Sequence, residues 1–274
     1  SFLLRNNLTL SVLKPKSIAI IGASTNPSNV GHEILKKALE FNYKGKLYAI
    51  NPKADEILGV KCHKSILDVP EKVDLAVIVV PKKAIFSVID DCHEKGIQGI
   101  CIISAGFKEV DEEGAKLEEQ LKAQCEKYGM TVVGPNCMGV MNTAEDISMN
   151  VTFAPTHPVP GNAAFVSQSG ALGIAVLNVA RDINLGMSDF VSMGNNMDVN
   201  GTDLLEYWEK DKATKLVLMY LESISDPAKF RALAEKMTKT KPVIVVKSGT
   251  SSAGAAAASS HTGALAGSDN AASA

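Results

Sequence analysis

Short apolar, β-branched runs alternate along the chain with longer stretches whose apolar positions recur at helical spacing. Residues 17–21, 46–50, 73–80, 100–103 and 131–133 read as strands. Between them, Ile34, Leu35, Ala38 and Leu39 share one helical face, Ile85, Val88, Ile89 and Cys92 share another, and the acidic-led segment 111–128 keeps the same period. Such alternation predicts a parallel sheet covered by helices on both faces, with ligands at the carboxyl ends of its strands. Periodicity then lapses where Pro155, Pro158 and Pro160 fall close together. It restarts with strands over 163–166, 187–192, 216–221 and 243–246 and helices over 171–181, 202–209 and 227–237. The expected fold class is α/β, two doubly wound parallel sheets in series: a first domain over 1–144, a linker over 145–160 and a second domain over 161–274. A last helix is expected from Thr262, and with the sequence stopping at Ala274 the second domain reads as C-terminally incomplete.

Composition narrows the partners. The 274 residues carry a net charge of −2 with Lys and Arg dispersed, so no basic patch points to nucleic acid or an anionic membrane. Cys62, Cys92, Cys101, Cys125 and Cys137 form no Cys-x-x-Cys pair, which fits free thiols in a reducing cytoplasm. No apolar run reaches the roughly 18 residues of a membrane span, and residues 1–13 lack the order of a signal peptide. The expectation is a soluble, cytoplasmic protein.

The loop from Gly22, Ala23 and Ser24 to Gly31 joins the first strand to the first helix, where a glycine lets backbone approach a pyrophosphate and helix amides face it. The Gly-x-Gly-x-x-Gly fingerprint is absent, and the second strand ends in Asn51-Pro52-Lys53 rather than the acid that holds a nicotinamide-cofactor ribose. Lys53 suits an additional phosphate, such as the 3′-phosphate of coenzyme A; the plain alternative is a solvated lysine after a turn. Val80-Pro81, Ser104-Ala105-Gly106 and Gly134-Pro135-Asn136 also follow apolar runs and are expected to line one crevice, although each alone is ordinary turn chemistry. Cys137 has no local histidine to activate it and reads as a buried structural thiol.

In the second half, Ser167-Gln168-Ser169-Gly170 lies between a strand and a helix, a setting for inorganic phosphate or simply a helix cap by Ser169. His261 stands among Ser259, Ser260, Thr262 and Gly263 behind a run of small residues from Gly254 to Ala258. An imidazole nitrogen is nucleophilic near neutral pH, and a pliant tract can carry it between two sites, so His261 reads as a phosphoryl carrier. Glu222, just beyond strand 216–221, is the carboxylate expected to fix its tautomer. The spacings of His32, His63, His93 and His157 give no metal cluster.

Together, the residues 17–24, Asn51-Pro52-Lys53, the stretch 103–107, Gly134-Pro135-Asn136, the stretch 166–171 and the stretch 259–267 resemble the α subunit, or α-like half, of nucleoside-diphosphate-forming acyl-CoA synthetases. The likeness covers nearly the whole chain and is closer to the ADP-forming acetyl-CoA synthetase branch than to succinyl-CoA synthetase. It implies a Rossmann-like CoA-binding domain followed by a flavodoxin-like, succinyl-CoA-synthetase-like domain. The implied reaction interconverts acyl-CoA, phosphate and ADP with acid, CoA and ATP through acyl phosphate and a phosphohistidine at His261. By that resemblance Gly22, Ala23, Ser24, Lys53, Val80, Pro81, Ser104, Ala105 and Gly106 hold CoA, and Asn136 lies near the thioester. Ser167, Gln168, Ser169 and Gly170 hold phosphate, and Glu222 orients His261. The tract 254–258 lacks the basic residue often found there in this branch. Nothing resembles an ATP-grasp module, so ADP or ATP with Mg²⁺ falls to an ATP-grasp (β-type) subunit or domain. The alternative is a CoA-binding regulatory module, like the synthetase-like segment fused to some protein acetyltransferases; an NAD-dependent dehydrogenase is disfavoured by Asn51-Pro52-Lys53.

Overall fold

The structure, a computed structural model, describes residues 6–249. His261, the tract 254–258 and the helix expected from Thr262 lie outside the described residues.

The first sheet takes its centre from β1 (Ser17–Ile21), every residue of which is buried, as a strand covered on both faces requires. Seven strands line up as β3-β4-β2-β1-β5-β6-β7: β2 is Lys46–Ile50, β3 Glu56–Ile57, β4 Val60–His63, β5 Leu75–Ile78, β6 Gly99–Ile102 and β7 Thr131–Val133. All neighbours are parallel except the short hairpin β3–β4. Helix α1 (Val30–Glu40) buries Ile34, Leu35 and Ala38 and starts at Asn29, whose side chain accepts from Gly31 N. Helix α2 (Lys82–Lys95) buries Ile85, Ile89 and Cys92 and stops at Gly96, which takes the left-handed conformation of a helix C-terminus. Helix α3 (Glu112–Lys127) is capped by Asp111.

The second sheet runs β13-β12-β10-β11-β8-β9, with β8 Gly139–Asn142, β9 Met149–Thr152, β10 Pro160–Ser167, β11 Met187–Ser192, β12 Leu216–Leu221 and β13 Val243–Lys247. Strands β10 to β13 are parallel, whereas β8 pairs antiparallel with β11 and β9 antiparallel with β8. Strand β8 falls within the expected first domain and β9 within the expected linker, yet both extend the second sheet. Helices α4 (Gly170–Asp182), α5 (Gly201–Lys210) and α6 (Pro227–Met237) connect the parallel strands. Their N-termini are capped by Ser169, Asn200 and Asp226. The α/β reading holds, with mostly parallel rather than wholly parallel sheets.

The two sheets are not independent beads. Helix α1 of the first packs on β9 of the second, and one apolar cluster runs from Ile18, Ile20, Ile34 and Leu35 through Met149 and Val151 to Val166 and Trp208. A shared close-packed core fixes the relative pose of the two sheets and therefore of the loops at their carboxyl ends.

Candidate functional site

In each sheet one strand is flanked by neighbours whose connections leave in opposite directions, and this opens a crevice at the carboxyl ends. In the first sheet it lies between β1 and β5. Gly22 leaves β1 at φ +100°, and a Cβ there would stand 2.6 Å from the carbonyl oxygen of Val79. Only glycine allows that approach. Asn51 clips the next loop: its Nδ2 donates to Ala23 O at 2.8 Å, and its Oδ1 accepts from the amides of Lys53 and Ala54 at 2.8 and 2.9 Å. The resulting cavity, about 470 Å³, is lined by Gly22, Ala23, Ser24, Asn51, Val80 and Pro81 together with Lys64 and Ser65. Lys53 is exposed and outside this lining, which takes its lysine from Lys64 at the end of β4.

A second cavity of about 820 Å³ lies where the two sheets' carboxyl ends converge. The first sheet contributes Val80, Pro81, Ser104, Ala105 and Asn136; the second contributes Gln168, Gly170, Ser192 and Asn195. Ser104 Oγ donates to Val80 O, and Asn136 N donates to Ser104 O at 3.0 Å, so three strand-end loops are tied together. Asn136 itself sits in the left-handed region at φ 55° and is exposed. Gly106 stands beside this lining, at φ +108° under the Lys82 side chain, with its amide donating to Glu109. Cys137 is buried, and its Sγ donates to Ile102 O at 3.2 Å.

The crevice of the second sheet lies between β10 and β12. Ser167 Oγ donates to Ser169 O at 2.6 Å and accepts from Ser169 N, while Ser169 Oγ accepts from Leu172 N as the cap of α4. Both hydroxyls are therefore engaged in shaping the turn, and the residues that reach the cavity are Gln168, Gly170 and Ala171. Gln168 is 3% exposed; its Oε1 accepts from the amides of Glu222 and Ser223 at 2.7 and 3.1 Å. Its Nε2 is buried with no hydrogen-bond partner among the described residues, a donor that costs free energy until something accepts from it. Glu222, 1% exposed at the end of β12, is held against this turn through its own amide.

The structure thus brings Val80, Pro81, Ser104, Ala105, Asn136, Gln168 and Gly170 around one cavity, with Glu222 behind the turn. Sequence reading missed Lys64, because the four-residue β4 carries too little pattern to register as a strand. It also missed Asn195 beyond β11, although the rule used for the other strand ends applies equally there.

A doubly wound domain with a nucleotide-sized crevice, joined to a second whose turn offers donors to an anion, defines a two-domain ligand-binding class, and comparison with known proteins agrees. Residues 16–143 match the CoA binding domain, and residues 160–274 match the succinyl-CoA ligase like flavodoxin domain. The chain belongs to the α-type chains of nucleoside-diphosphate-forming acyl-CoA synthetases, in the ADP-forming branch. It is 45% identical to subunit alpha of acetate–CoA ligase [ADP-forming] I of Pyrococcus furiosus, over 94% of this chain and 56% of that one. It is 48% identical to the acetate–CoA ligase [ADP-forming] of Methanocaldococcus jannaschii, over 93% of this chain and 35% of that one. The dinucleotide forming acetyl-coenzyme A synthetase 1 of Ca. Korarchaeum cryptofilum, solved in complex with phosphate and ADP, superimposes with a TM-score of 0.89 at 43% identity, over 96% of this chain and 56% of that one. The chain therefore spans between about a third and a little over half of these relatives.

Proposed function

We propose that this chain is the CoA-binding, phosphohistidine-bearing half of an ADP-forming acyl-CoA synthetase, working with an ATP-grasp (β-type) subunit or domain that holds ADP or ATP with Mg²⁺. The observation that carries the reading is the junction cavity, where loops of a CoA-type domain face Gln168, whose Nε2 is buried with no partner among the described residues, and the first turn of α4.

In this reading the nucleotide end of CoA occupies the crevice at Gly22, Ala23 and Ser24, with Lys64, and Lys53 beyond it, available to its phosphates. Pantetheine runs past Val80 and Pro81 and beside the Ser104, Ala105 and Gly106 loop to bring the thioester near Asn136. Phosphate, held by Gln168 Nε2 and the amides of Gly170 and Ala171 in the turn that Ser167 and Ser169 shape, attacks the thioester carbonyl carbon. The C–S bond breaks, CoA leaves as the thiol and acyl phosphate forms. A ring nitrogen of His261 then attacks phosphorus, the bond from phosphorus to the acyl oxygen breaks and the free acid departs. Glu222 accepts from the other ring nitrogen and stabilises the charge that develops there. Transfer from His261 to ADP completes the cycle, which runs in either direction. A reducing cytoplasm suits the five free, buried thiols. The names of the relatives, acetate–CoA ligases [ADP-forming] and a 4-hydroxybutyrate–CoA ligase [ADP-forming] from Nitrosopumilus maritimus at 46% identity, support a small acid as acyl group.

The test incubates the full chain with its ATP-grasp partner, acetyl-CoA and radiolabelled phosphate. Label is expected on His261, acid-labile as a phosphoramidate, and none on His261→Asn. Undiminished labelling of His261→Asn would remove the proposed nucleophile.

A further inference from the structure

Where the two sheets meet, one buried amide joins loops from both. Asn195, 1% exposed, follows β11. Its Nδ2 donates to Glu109 Oε2 at 2.6 Å and to Glu118 Oε1 at 2.7 Å, which uses both of its hydrogens on two carboxylates of the first domain. A carboxylate accepts only, so the pair leaves Asn195 one orientation, with Oδ1 turned away from them. That Oδ1 accepts from Asn136 Nδ2 at 3.3 Å. The carboxylates are themselves anchored. Glu109 accepts from the amides of Gly106 and Phe107, and Glu118 Oε2 lies 3.6 Å from Lys108 Nζ. Burial raises the pKa of Glu109, yet hydrogen bonds from Asn195 and from the Gly106, Glu109 and Phe107 amides outweigh it and hold the group below its ordinary value. Burial pushes Glu118 above its ordinary value against the opposing pull of Asn195 and Lys108.

We propose that Asn195 is a positioning residue: oriented by Glu109 and Glu118, it holds the Asn136 carboxamide in one of its two flip states, with Nδ2 engaged and Oδ1 left as acceptor for the cavity. The inference rests on the reading of that cavity as the thioester site. An acceptor there suits the N–H donors of pantetheine and the S–H of released CoA. The loops that carry the two asparagines are also zipped through backbone, Asn195 N to Pro135 O at 2.9 Å and Met197 N to Gly134 O at 3.2 Å. A Cβ on Gly194 would stand 2.3 Å from Pro135 O, so glycine is required for this approach. Because those backbone contacts survive side-chain substitution, the amide orientation can be changed without dismantling the junction.

Asn195→Asp keeps an acceptor for Asn136 Nδ2 but sets a third carboxylate against Glu109 and Glu118, which drives that acceptor off its position; the triple variant Glu109→Gln, Asn195→Asp, Glu118→Gln gives the new carboxylate donors and returns the acceptor to its place. With full chain, ATP-grasp partner and acetyl-CoA, Asn195→Asp is expected to lower kcat/KM for acetyl-CoA by about tenfold or more, while KM for phosphate stays within about twofold, and the triple variant to recover most of the loss. Wild-type kcat/KM in Asn195→Asp, or a folded triple variant no better than the single one, overturns the inference. In the wild-type chain, the side-chain amide signals of Asn136, assigned by their loss in Asn136→Asp, are expected as one set with slowed hydrogen exchange. Two interconverting sets, or exchange as fast as in an asparagine whose side-chain amide has no hydrogen-bond partner, also overturn it. This spectrum needs no turnover, so an inactive wild-type enzyme would refute the proposed function and leave the positioning role to be decided separately.

Discussion

Asp189, in the middle of β11, is 2% exposed, and Trp208 Nε1 donates to its Oδ2 at 2.9 Å while its Oδ1 has no hydrogen-bond partner among the described residues. Burial pushes its carboxyl up from 3.8 to about 7, with Trp208 and Lys14 opposing and Asp211 adding to the rise. Between these values the unfolded chain releases its proton while the folded chain retains it, so stability is full below about pH 4 and is lost as pH rises toward 7. At 1.36 kcal/mol for each tenfold step in proton affinity, the ceiling of that loss is about 4 kcal/mol. Asp189→Asn removes it and keeps an acceptor for Trp208, but it strands an amide where Oδ1 now stands, which costs about 1–3 kcal/mol. The expected net at pH 8 is a variant more stable by about 1–3 kcal/mol, and at about 2–4 °C per kcal/mol for a chain of this size the melting midpoint rises by several degrees. Urea unfolding of both proteins at half-unit steps from pH 4 to 8 measures it. Asp198, half-buried and raised to about 6, adds a similar slope, but it is common to both proteins and cancels in the difference curve. A difference curve flat across pH 4 to 7, or an Asp189→Asn variant less stable than wild type at pH 8, would refute the reasoning.

Gly22→Ala forces a Cβ to 2.6 Å from Val79 O at a φ of +100°, so a loss of roughly 2–4 kcal/mol in stability and of measurable CoA binding is expected. Unchanged urea unfolding together with unchanged calorimetric CoA affinity would show that the loop has room the geometry denies. Lys64→Ala is expected to weaken CoA by roughly tenfold or more, and Lys53→Ala by less, since only Lys64 lines the crevice. Calorimetry with CoA and dephospho-CoA distinguishes which phosphate each lysine meets, and equal losses for both lysines would contradict the placement.

The strands 17–21, 46–50, 131–133, 187–192 and 216–221 coincide with β1, β2, β7, β11 and β12 because their apolar content is set locally; β1, β7 and β11 are buried at every position, as strands covered on both faces require. Helix α6 likewise coincides with the expected 227–237, and the structure shows Asp226 at its cap and Pro227 in its first turn. From that alternation the α/β class and the ligand edge follow directly, and the motif order in the sequence carries the family. What local pattern cannot carry is which strands pair. β8 and β9 are apolar enough to be strands, but their membership of the second sheet is decided by the antiparallel pairing of β8 with β11 and of β9 with β8, and by α1 closing over β9. Lys53 and Lys64 are the same residue type after the ends of β2 and β4, and only the pairing of those strands puts Lys64 in the crevice. Asn195 reaches its carboxylates across 86 and 77 residues of sequence, a meeting that neither propensity nor spacing encodes. Local chemistry determines the elements, their caps and the residue types offered at strand ends; the shape-dependent packing of one sheet against the other decides which of those residues face the same ligand.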